Sequence, residues 1–499
     1  MPETTAPTRR SSGARSFTPY FSPLSANLIR SPLPRRAGAY ATSVVSLVAG
    51  DLLAIAVTVG LCVSVARNDH PLGQLPGVLG IALAWIGMRY ASGLYPGFGI
   101  APPEALRRGA MTTLLAGVAY CAALISFRVT PDSRAVTIGT WLLLLPVSVV
   151  IRGVIKAVLV RHRLFGRPVV ILGAGQTGSF TITELLRDSG LGLVPVAVFD
   201  DDPAKHGSTL HGVPILGCVE SSLTWEASYD VDHAVVAMSG VGSRRLLQLS
   251  EQISRRYGYV SMVADTLGLG NLWVTPQSFG RCLALRVNSP RFSKSHLRVK
   301  RVSDLVIAVP FFLLALPIIA VAALLVMLID GGSPFYFQNR EGIDGKRIKV
   351  WKIRTMVHDA EAKLEAYLDS DPAARTEWER SMKLRRDPRI IRYIGTFLRR
   401  ASIDELPQLW SVLTGEMSLV GPRPLPDYHL LKFTPEFRAL RRQVHPGISG
   451  YWQVTDRSDS DVDQHMASDR YYIENWSLWL DLWVLFRTVE AVLARRGAV

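Results

Sequence analysis

Apolar residues fall along this chain in long blocks, not in the alternating or 3.6-period stripes of a soluble domain. Residues 41–66 form the first block, broken by one charge, Asp51. Residues 75–90, 110–127 and 137–160 follow, the last carrying Arg152 and Lys156 near its end. Each is close to the roughly 20 residues that cross a hydrocarbon core. The second is the shortest and could tilt or merge with its neighbour. Basic residues crowd before the first block, between the second and third (Arg107, Arg108) and after the fourth (Arg161, Arg163, Arg167). The other two loops are poorer in charge. This bias predicts four spans with both ends in the cytoplasm. Asp51 inside a span is a candidate functional residue, or else a partner in a pair within the bundle.

A different pattern begins at Pro168. An apolar β run enters Gly173-Ala-Gly175-Gln-Thr-Gly178, and Phe180 to Asp188 can continue as a helix. The next apolar run, Leu193 to Phe199, ends at Asp200, the distance at which a ribose-binding acid would stand. Ala234 to Met238 supplies a further parallel strand. A Rossmann-like unit over 166–290 is therefore predicted. The turn does not establish a nucleotide, because glycines also permit close backbone approach and fold does not fix function. Asp201 and Asp202 beside Asp200 would repel a pyrophosphate that faced them. A regulatory ligand, a structural role and a dimerising role stay open.

The fifth apolar block, residues 305–329, is long enough to span. Both of its flanks are basic, however: Lys294, His296, Arg298, Lys300 and Arg301 before it, Arg340, Lys346, Arg347, Lys349 and Lys352 after it. One complete span cannot place both flanks in the cytoplasm. Pro310 and Pro317 remove backbone donors and favour a bend. A re-entrant helix over 295–330 resolves the conflict, with an ordinary span as the alternative. Asp304 is expected to pair with Lys300 and Arg301 at the interface.

Composition narrows the class. The 499 residues carry 56 Lys+Arg against 41 Asp+Glu, a formal charge of +15. The positive charge falls near apolar segments, as in a bacterial-type inner-membrane protein. Nucleic acid, the other reading of a basic chain, is disfavoured by the long apolar runs and the lack of a recognised motif. The four cysteines contain no CxxC, so neither a zinc cluster nor a disulfide scaffold is indicated. Residues 1–40, rich in Pro, Ser and Arg, read as a disordered basic arm. No cleavage pattern of a signal peptide follows a short apolar run near the start.

The chemistry concentrates in residues 383–424, dense in Arg and Lys around one acidic pair, Asp404 and Glu405, and closed by Gly421-Pro-Arg423-Pro424. Basic side chains around a carboxylate pair suit phosphorylated substrates and a divalent metal. Phe335 to Gln338 and Ile348 to Lys352 read as short strands, and Thr355 to Leu368 as a helix. Ser402 and Glu405 have the spacing of a capping box, which gives Glu405 a second, structural reading. Leu406, Leu409, Trp410 and Leu413 form an apolar face. The aromatic tail from Tyr451 to Trp483 suits either a packed core or helices lying on the bilayer over Trp476 to Leu485.

Residues 295–492 resemble the bacterial sugar transferase family, the monotopic-type phosphoglycosyl transferases. The likeness rests on Lys300-Arg301 with Asp304, Gln338-Asn-Arg340, Gly342, Gly345-Lys346, Trp351-Lys352-Ile-Arg354-Thr-Met356 and Ser402 to Leu409. It continues through Leu419-Val-Gly421-Pro-Arg423-Pro424, His445-Pro-Gly447-Ile-Ser-Gly450, Trp452-Gln-Val454, Asp469-x-Tyr471-Tyr472, Asn475-Trp476-Ser477 and Asp481. Position 351 is Trp where the family usually has Phe, and 355 is Thr where Ser is common. The amino-terminal half, with Gly93-Leu-Tyr95-Pro-Gly97 and Glu104, is more weakly similar to the long undecaprenyl-phosphate galactose phosphotransferases.

The resemblance implies transfer of a sugar 1-phosphate from a UDP-sugar to undecaprenyl phosphate with release of UMP, the first membrane step of O-antigen, exopolysaccharide or capsule synthesis. It implies Asp404 as nucleophile forming an aspartyl phosphosugar, Glu405 with Asp404 as the Mg²⁺ site, and Arg423 as phosphate clamp. Lys352 and Arg354 are further phosphate-binding candidates. Asp456 and Asp469 are candidate sugar, nucleotide or metal contacts, or surface ion pairs. UDP-galactose is the expected donor, with UDP-glucose or another UDP-sugar as alternatives. A membrane-anchored nucleotide-sugar dehydratase or epimerase lacks its Tyr-x-x-x-Lys here. A non-enzymatic scaffold leaves Asp404 and Glu405 unexplained. The expected architecture is a membrane protein, plausibly homodimeric, with a four-helix transmembrane bundle (41–165) and a Rossmann-like α/β domain (166–290). A re-entrant helix (295–330) would then anchor an α/β catalytic domain with amphipathic interfacial helices (331–499).

Overall fold

The computed structural model describes residues 36–66, 75–126, 131–225, 231–238, 249, 252–263, 274–279, 282–287, 294–381, 384, 387–455 and 462–493. The chain divides into two compact units, Met1–Leu267 and Gly268–Val499. Most of the amino-terminal arm, residues 1–35, lies outside the described residues, and so does Asp456.

In the first unit the four apolar blocks are helices: α1 (Arg36–Ala66), α2 (Leu75–Ala91), α3 (Pro102–Ser126) and α4 (Pro131–Arg161). The first helix begins inside the stretch expected to be disordered, at Arg36. By length and composition, Tyr40–Cys62 and Ile138–Arg161 can cross a membrane. Asp51 sits at 1% exposure in the middle of the bundle. It accepts hydrogen bonds from Arg89 on α2, from Tyr95 and, at 3.2 Å, from Arg152 on α4. Arg89 also reaches Ser148 on α4 at 3.1 Å and stacks on Trp85. The pair reading of Asp51 therefore holds: a carboxylate in an apolar bundle is tolerated only when paired.

The rest of this unit is built on a six-stranded sheet in the order β3 (Thr209–Leu210), β4 (Val213–Gly217), β2 (Leu193–Phe199), β1 (Arg167–Leu172), β5 (His233–Val236), β6 (Tyr259–Met262). Strand β1 pairs in parallel with both β2 and β5, so the chain order reverses beside it. The Gly-rich turn leads into α5 (Gln176–Arg187). A Cβ on Gly178 would stand 1.9 Å from the Gly173 carbonyl oxygen, so that glycine is required by helix–strand contact alone. The Asp200 carboxylate is taken up inside the loop. It accepts from Ala174 N at 2.6 Å, Asp202 N at 3.0 Å and Lys205 Nζ at 3.0 Å.

The second unit opens with the antiparallel hairpin β7 (Val274–Phe279) and β8 (Cys282–Val287). Then comes α6 (Lys294–Asp330), an apolar helix containing Pro310 and Pro317. One stripe of it, Ala308, Ala315, Ile319, Ala322 and Val326, is buried in the same core as Ile348, Val350, Ile353, Leu409 and Val412. The opposite side leaves Phe311, Leu313, Leu314 and Leu328 open. Both ends of α6 fasten to this one domain. At the start Lys300 pairs with Asp481 at 2.8 Å, and Arg301 donates to the carbonyls of Val412 and Leu413. Asp304 accepts from Ser418 Oγ at 2.7 Å and Leu419 N at 3.3 Å. At the far end Asp330 pairs with Arg354 at 2.7 Å. The expected pairing of Asp304 with Lys300 and Arg301 is thus replaced by three separate anchors, because each side chain finds a partner on another element.

After α6 come the hairpin β9 (Phe335–Glu341) and β10 (Arg347–Ile353), then α7 (Ala360–Ser370), α8 (Pro372–Ser381), α9 (Ile394–Arg400) and α10 (Gln408–Thr414). A short parallel pair, β11 (Ser418–Val420) with β12 (Gly447–Ser449), lies behind α10. Helices α11 (Asp427–Leu430), α12 (Pro435–Arg441), α13 (Tyr451–Thr455), α14 (Val462–Glu474) and α15 (Leu478–Leu493) complete the unit. The aromatic tail resolves largely as core. Tyr472, Trp476, Leu480 and Val484 are all buried, so that face of Trp476–Leu485 is closed to a bilayer. Trp410 departs in the other direction: it is 54% exposed, while Leu409 takes the buried position.

Candidate active site

Asp404 and Glu405 ride on a single 3₁₀ turn, Ile403–Glu405, between α9 and α10. Ser402 enters it in the left-handed region, at φ 53°. A non-glycine residue held there is strained, and such strain persists only where its surroundings over-determine it. No side-chain cap bond forms from Ser402, so the capping-box reading fails. Glu405 instead turns to two cations: its Oε1 accepts from Lys352 Nζ at 2.8 Å and from Arg423 Nη2 at 3.0 Å.

Each of these partners is placed by the core. Lys352 projects from β10, opposite Tyr336 on β9. Arg423 follows β11, whose start is gripped by Asp304 and whose end carbonyl, Val420 O, is reached by the Tyr472 hydroxyl at 2.9 Å. Gly421 lets β11 run against the 445–447 turn, since a Cβ there would lie 2.4 Å from the His445 carbonyl oxygen. The Arg423 carbonyl is then held by Arg441 Nη2 at 2.6 Å.

The two carboxyl groups are driven apart. Burial and the adjacent Glu405 charge push Asp404 up from 3.8 to about 6, against Lys352 and Arg399. Burial also opposes ionisation of Glu405, but Arg423 and Lys352 outweigh it and take that group down to about 2. The dyad is thus a fixed anion beside a carboxyl poised near neutrality. Both Glu405 bonds fall on Oε1, so Oε2 keeps its lone pairs. One or two carboxylates with substrate phosphate oxygens is how Mg²⁺ is usually held, and this donor set fits it. Among the described residues no cluster of three His, Cys, Asp or Glu exists, so no all-protein metal cage competes with that reading.

Of the sequence candidates, Asp404, Glu405, Lys352 and Arg423 converge. Arg354 does not join them: it is buried and committed to Asp330 and the Gly331 carbonyl at the end of α6. Asp469 is likewise buried and faces Arg441, with His465 Nε2 at 3.3 Å. Lys300, Arg301 and Asp304 anchor α6, and Gly173, Gly175, Gly178 and Asp200 belong to the other unit. Arg399 was not singled out by pattern. It projects from α9 with Nε on Thr355 Oγ1 at 2.8 Å and acts on Asp404 electrostatically. Its signal, one Arg of the Arg399-Arg400 pair, does not tell which of the two points inward.

The bacterial sugar transferase model matches residues 295–495, and a CoA-binding domain model matches residues 91–258. A UDP-galactose-lipid carrier transferase of Erwinia amylovora is 35% identical over 370 residues, 73% of this chain and 76% of that one. An undecaprenyl-phosphate galactose phosphotransferase of Salmonella typhimurium is 32% identical, covering 75% of this chain and 78% of that one. The UDP-glucose:undecaprenyl-phosphate glucose-1-phosphate transferase of Escherichia coli is 28% identical, covering 76% and 80%. With likeness running through both units and the carboxylate pair set among cationic side chains, the chain belongs to the bacterial sugar transferase family, as a long-form phosphoglycosyl transferase.

Proposed function

We propose that the protein transfers galactose 1-phosphate from UDP-galactose to undecaprenyl phosphate and releases UMP. The observation that carries this is the dyad itself, a nucleophile-ready Asp404 beside a Glu405 pinned by Lys352 and Arg423. In the first step an Asp404 oxygen bonds the sugar-bearing phosphorus, and the bond from that phosphorus to the bridging oxygen breaks, so that UMP leaves with the electron pair. In the second an oxygen of the lipid phosphate bonds the same phosphorus, the aspartyl–phosphorus bond breaks, and the Asp404 carboxylate is restored. Arg423 and Arg399 offset charge on the phosphoryl oxygens. Mg²⁺, held by Glu405 with Asp404 and the diphosphate, would supply further neutralisation.

Several features support a membrane setting with the active site on the cytoplasmic face of the inner membrane. Four basic-flanked helices suit four spans. By length and composition His296–Asp330 can also cross a membrane, and fastening of both ends of α6 to one domain supports the re-entrant reading over that one. Exposed Tyr393, Phe397 and Trp410 give this domain an aromatic face suited to the headgroup zone, with Trp410 against Phe312 of α6. A homodimer remains part of the proposal, and the open Tyr259 and Met262 on edge strand β6 are suited to it. The Escherichia coli relative makes UDP-glucose the second donor to consider.

The test is UMP release by the full chain in native-lipid particles with Mg²⁺ and undecaprenyl phosphate, UDP-galactose against UDP-glucose, with Asp404→Asn beside the wild type. Lipid-dependent UMP from UDP-galactose, abolished in the variant, is expected. Full activity in the variant would overturn the covalent mechanism, and turnover of UDP-glucose alone would overturn the donor.

A further inference from the structure

The hairpin beside the dyad carries a cation, Arg340, that faces the same way as Lys352 and that the two-step scheme leaves idle. Strand register sets Tyr336 opposite Lys352, Gln338 opposite Val350 and Arg340 opposite Ile348. Side chains at alternate positions, and those directly opposed on an antiparallel partner, share a face. Tyr336, Gln338 and Arg340 therefore line up on the face from which Lys352 reaches Glu405. Gln338 Oε1 accepts from Arg340 Nη2 at 2.6 Å, which aims the guanidinium. Among the described residues Arg340 makes no ion pair. Asp427, a carboxylate that acts on it, is held by Arg347 through two bonds of 2.8 and 2.9 Å. Arg423 is close enough to repel it. A half-buried guanidinium with no direct carboxylate partner among the described residues, on the same hairpin face as Lys352, suits a polyanion with two phosphate groups.

The direction of the hairpin says which part of the substrate this is. Strand β9 starts at Phe335, five residues after α6 ends at Asp330. At about 3.3 Å per residue, Arg340 stands roughly 17 Å along the strand from that start. A lipid phosphate stays at headgroup level, near the apolar helix, while the water-soluble donor can occupy the distal side. Tyr428, 63% exposed and beside the His429 ring, follows Asp427, which Arg347 holds at that distal end of the hairpin.

We propose that Arg340, oriented by Gln338, grips the nucleotide-side phosphate of the nucleoside diphosphate sugar, with Tyr428 as the stacking platform for its base. This rests on the phosphoglycosyl transfer reading above. As the bridging P–O bond breaks, charge collects on the departing nucleoside monophosphate, and the Arg340 fork faces that charge.

The experiment measures three constants on the full chain in native-lipid particles: KM for the UDP-sugar, KM for undecaprenyl phosphate, and the inhibition constant of UMP. Arg340→Gln should raise the first and third about tenfold or more, the ratio set by one charge-assisted hydrogen bond, and leave the lipid KM within about twofold. Arg340→Lys should recover part of the loss. Gln338→Leu and Tyr428→Ala, which keep the cation, should shift the same two constants less, and they carry the test if Arg340→Gln does not fold. A rise confined to the lipid KM, or donor and UMP constants unchanged across the series, overturns the proposal. A wild type that releases no UMP from any donor overturns the transfer reading instead.

Discussion

Asp404→Asn should abolish turnover and yet make the protein more stable at neutral and alkaline pH. The carboxyl rises from 3.8 to about 6 on folding, chiefly through burial and the Glu405 charge. Between those values the folded state binds more protons than the unfolded one, so stability falls as pH rises through that window. At pH 8 the shift of about 2.2 units corresponds to a cost of roughly 3 kcal/mol at 1.36 kcal/mol per unit. At pH 4.5 the same linkage leaves only about 1 kcal/mol. Solvent reaching the partly open side chain lowers both figures, so about 1–3 kcal/mol at pH 8 is the working range. For a domain of this size that is a rise of very roughly 2–12 °C in melting temperature. The assay is thermal unfolding of wild type and variant in one detergent at pH 8 and pH 4.5, followed by intrinsic fluorescence. The gap should be widest at pH 8 and shrink towards pH 4.5. A variant that melts at or below the wild type at pH 8, or a gap that widens at low pH, would refute the reasoning.

The same ionisation predicts that kcat/KM for UMP release, which reports the free enzyme, climbs about tenfold between pH 5 and 7, where the Asp404 anion becomes dominant. A flat profile over that range would contradict it. Arg399→Leu removes a cation that lowers Asp404, so the midpoint of that profile should move upward; a midpoint that stays or falls would exclude Arg399 as an electrostatic partner. Arg354→Ala should lower the melting temperature by unfastening the end of α6, with donor KM unchanged; a selective rise in donor KM at constant melting temperature would return Arg354 to the phosphate site. Asp51→Leu leaves two arginines in the bundle without their carboxylate and should cost about 3–5 kcal/mol, read as a lower melting temperature in detergent; an unchanged melt would mean that the Asp51 pair does not hold the bundle.

What local pattern determines here is clear at the level of elements. Runs of about 20 apolar residues become helices wherever they occur, because burying the backbone polar groups of such a segment demands it. The β run before Gly173 and the turn after it likewise form their strand and helix from local preference and glycine alone. Asp404 and Glu405 stand out as well, since basic residues crowding one carboxylate pair is a chemical signature that survives without coordinates, whereas Lys352 and Arg423 came in through the family resemblance.

Tertiary structure decided which charges meet at the Asp404–Glu405 turn and which are tied up elsewhere. Arg354 and Asp469 carry the same formal charges as the residues that converge on the dyad, yet each is consumed by a partner distant in sequence, Asp330 and Arg441. Glu405 met the spacing rule for a cap but lies 2.8 Å from Lys352, a residue 53 positions away, and that contact wins because two cations outweigh one backbone amide. Trp410 read as part of an apolar face and Trp476 as either core or interfacial, and packing left the first 54% exposed and buried the second. Such choices depend on which elements meet. Spacing along a chain reports only the neighbours within a turn or a strand, whereas desolvation and Coulomb forces act between whatever the fold brings together.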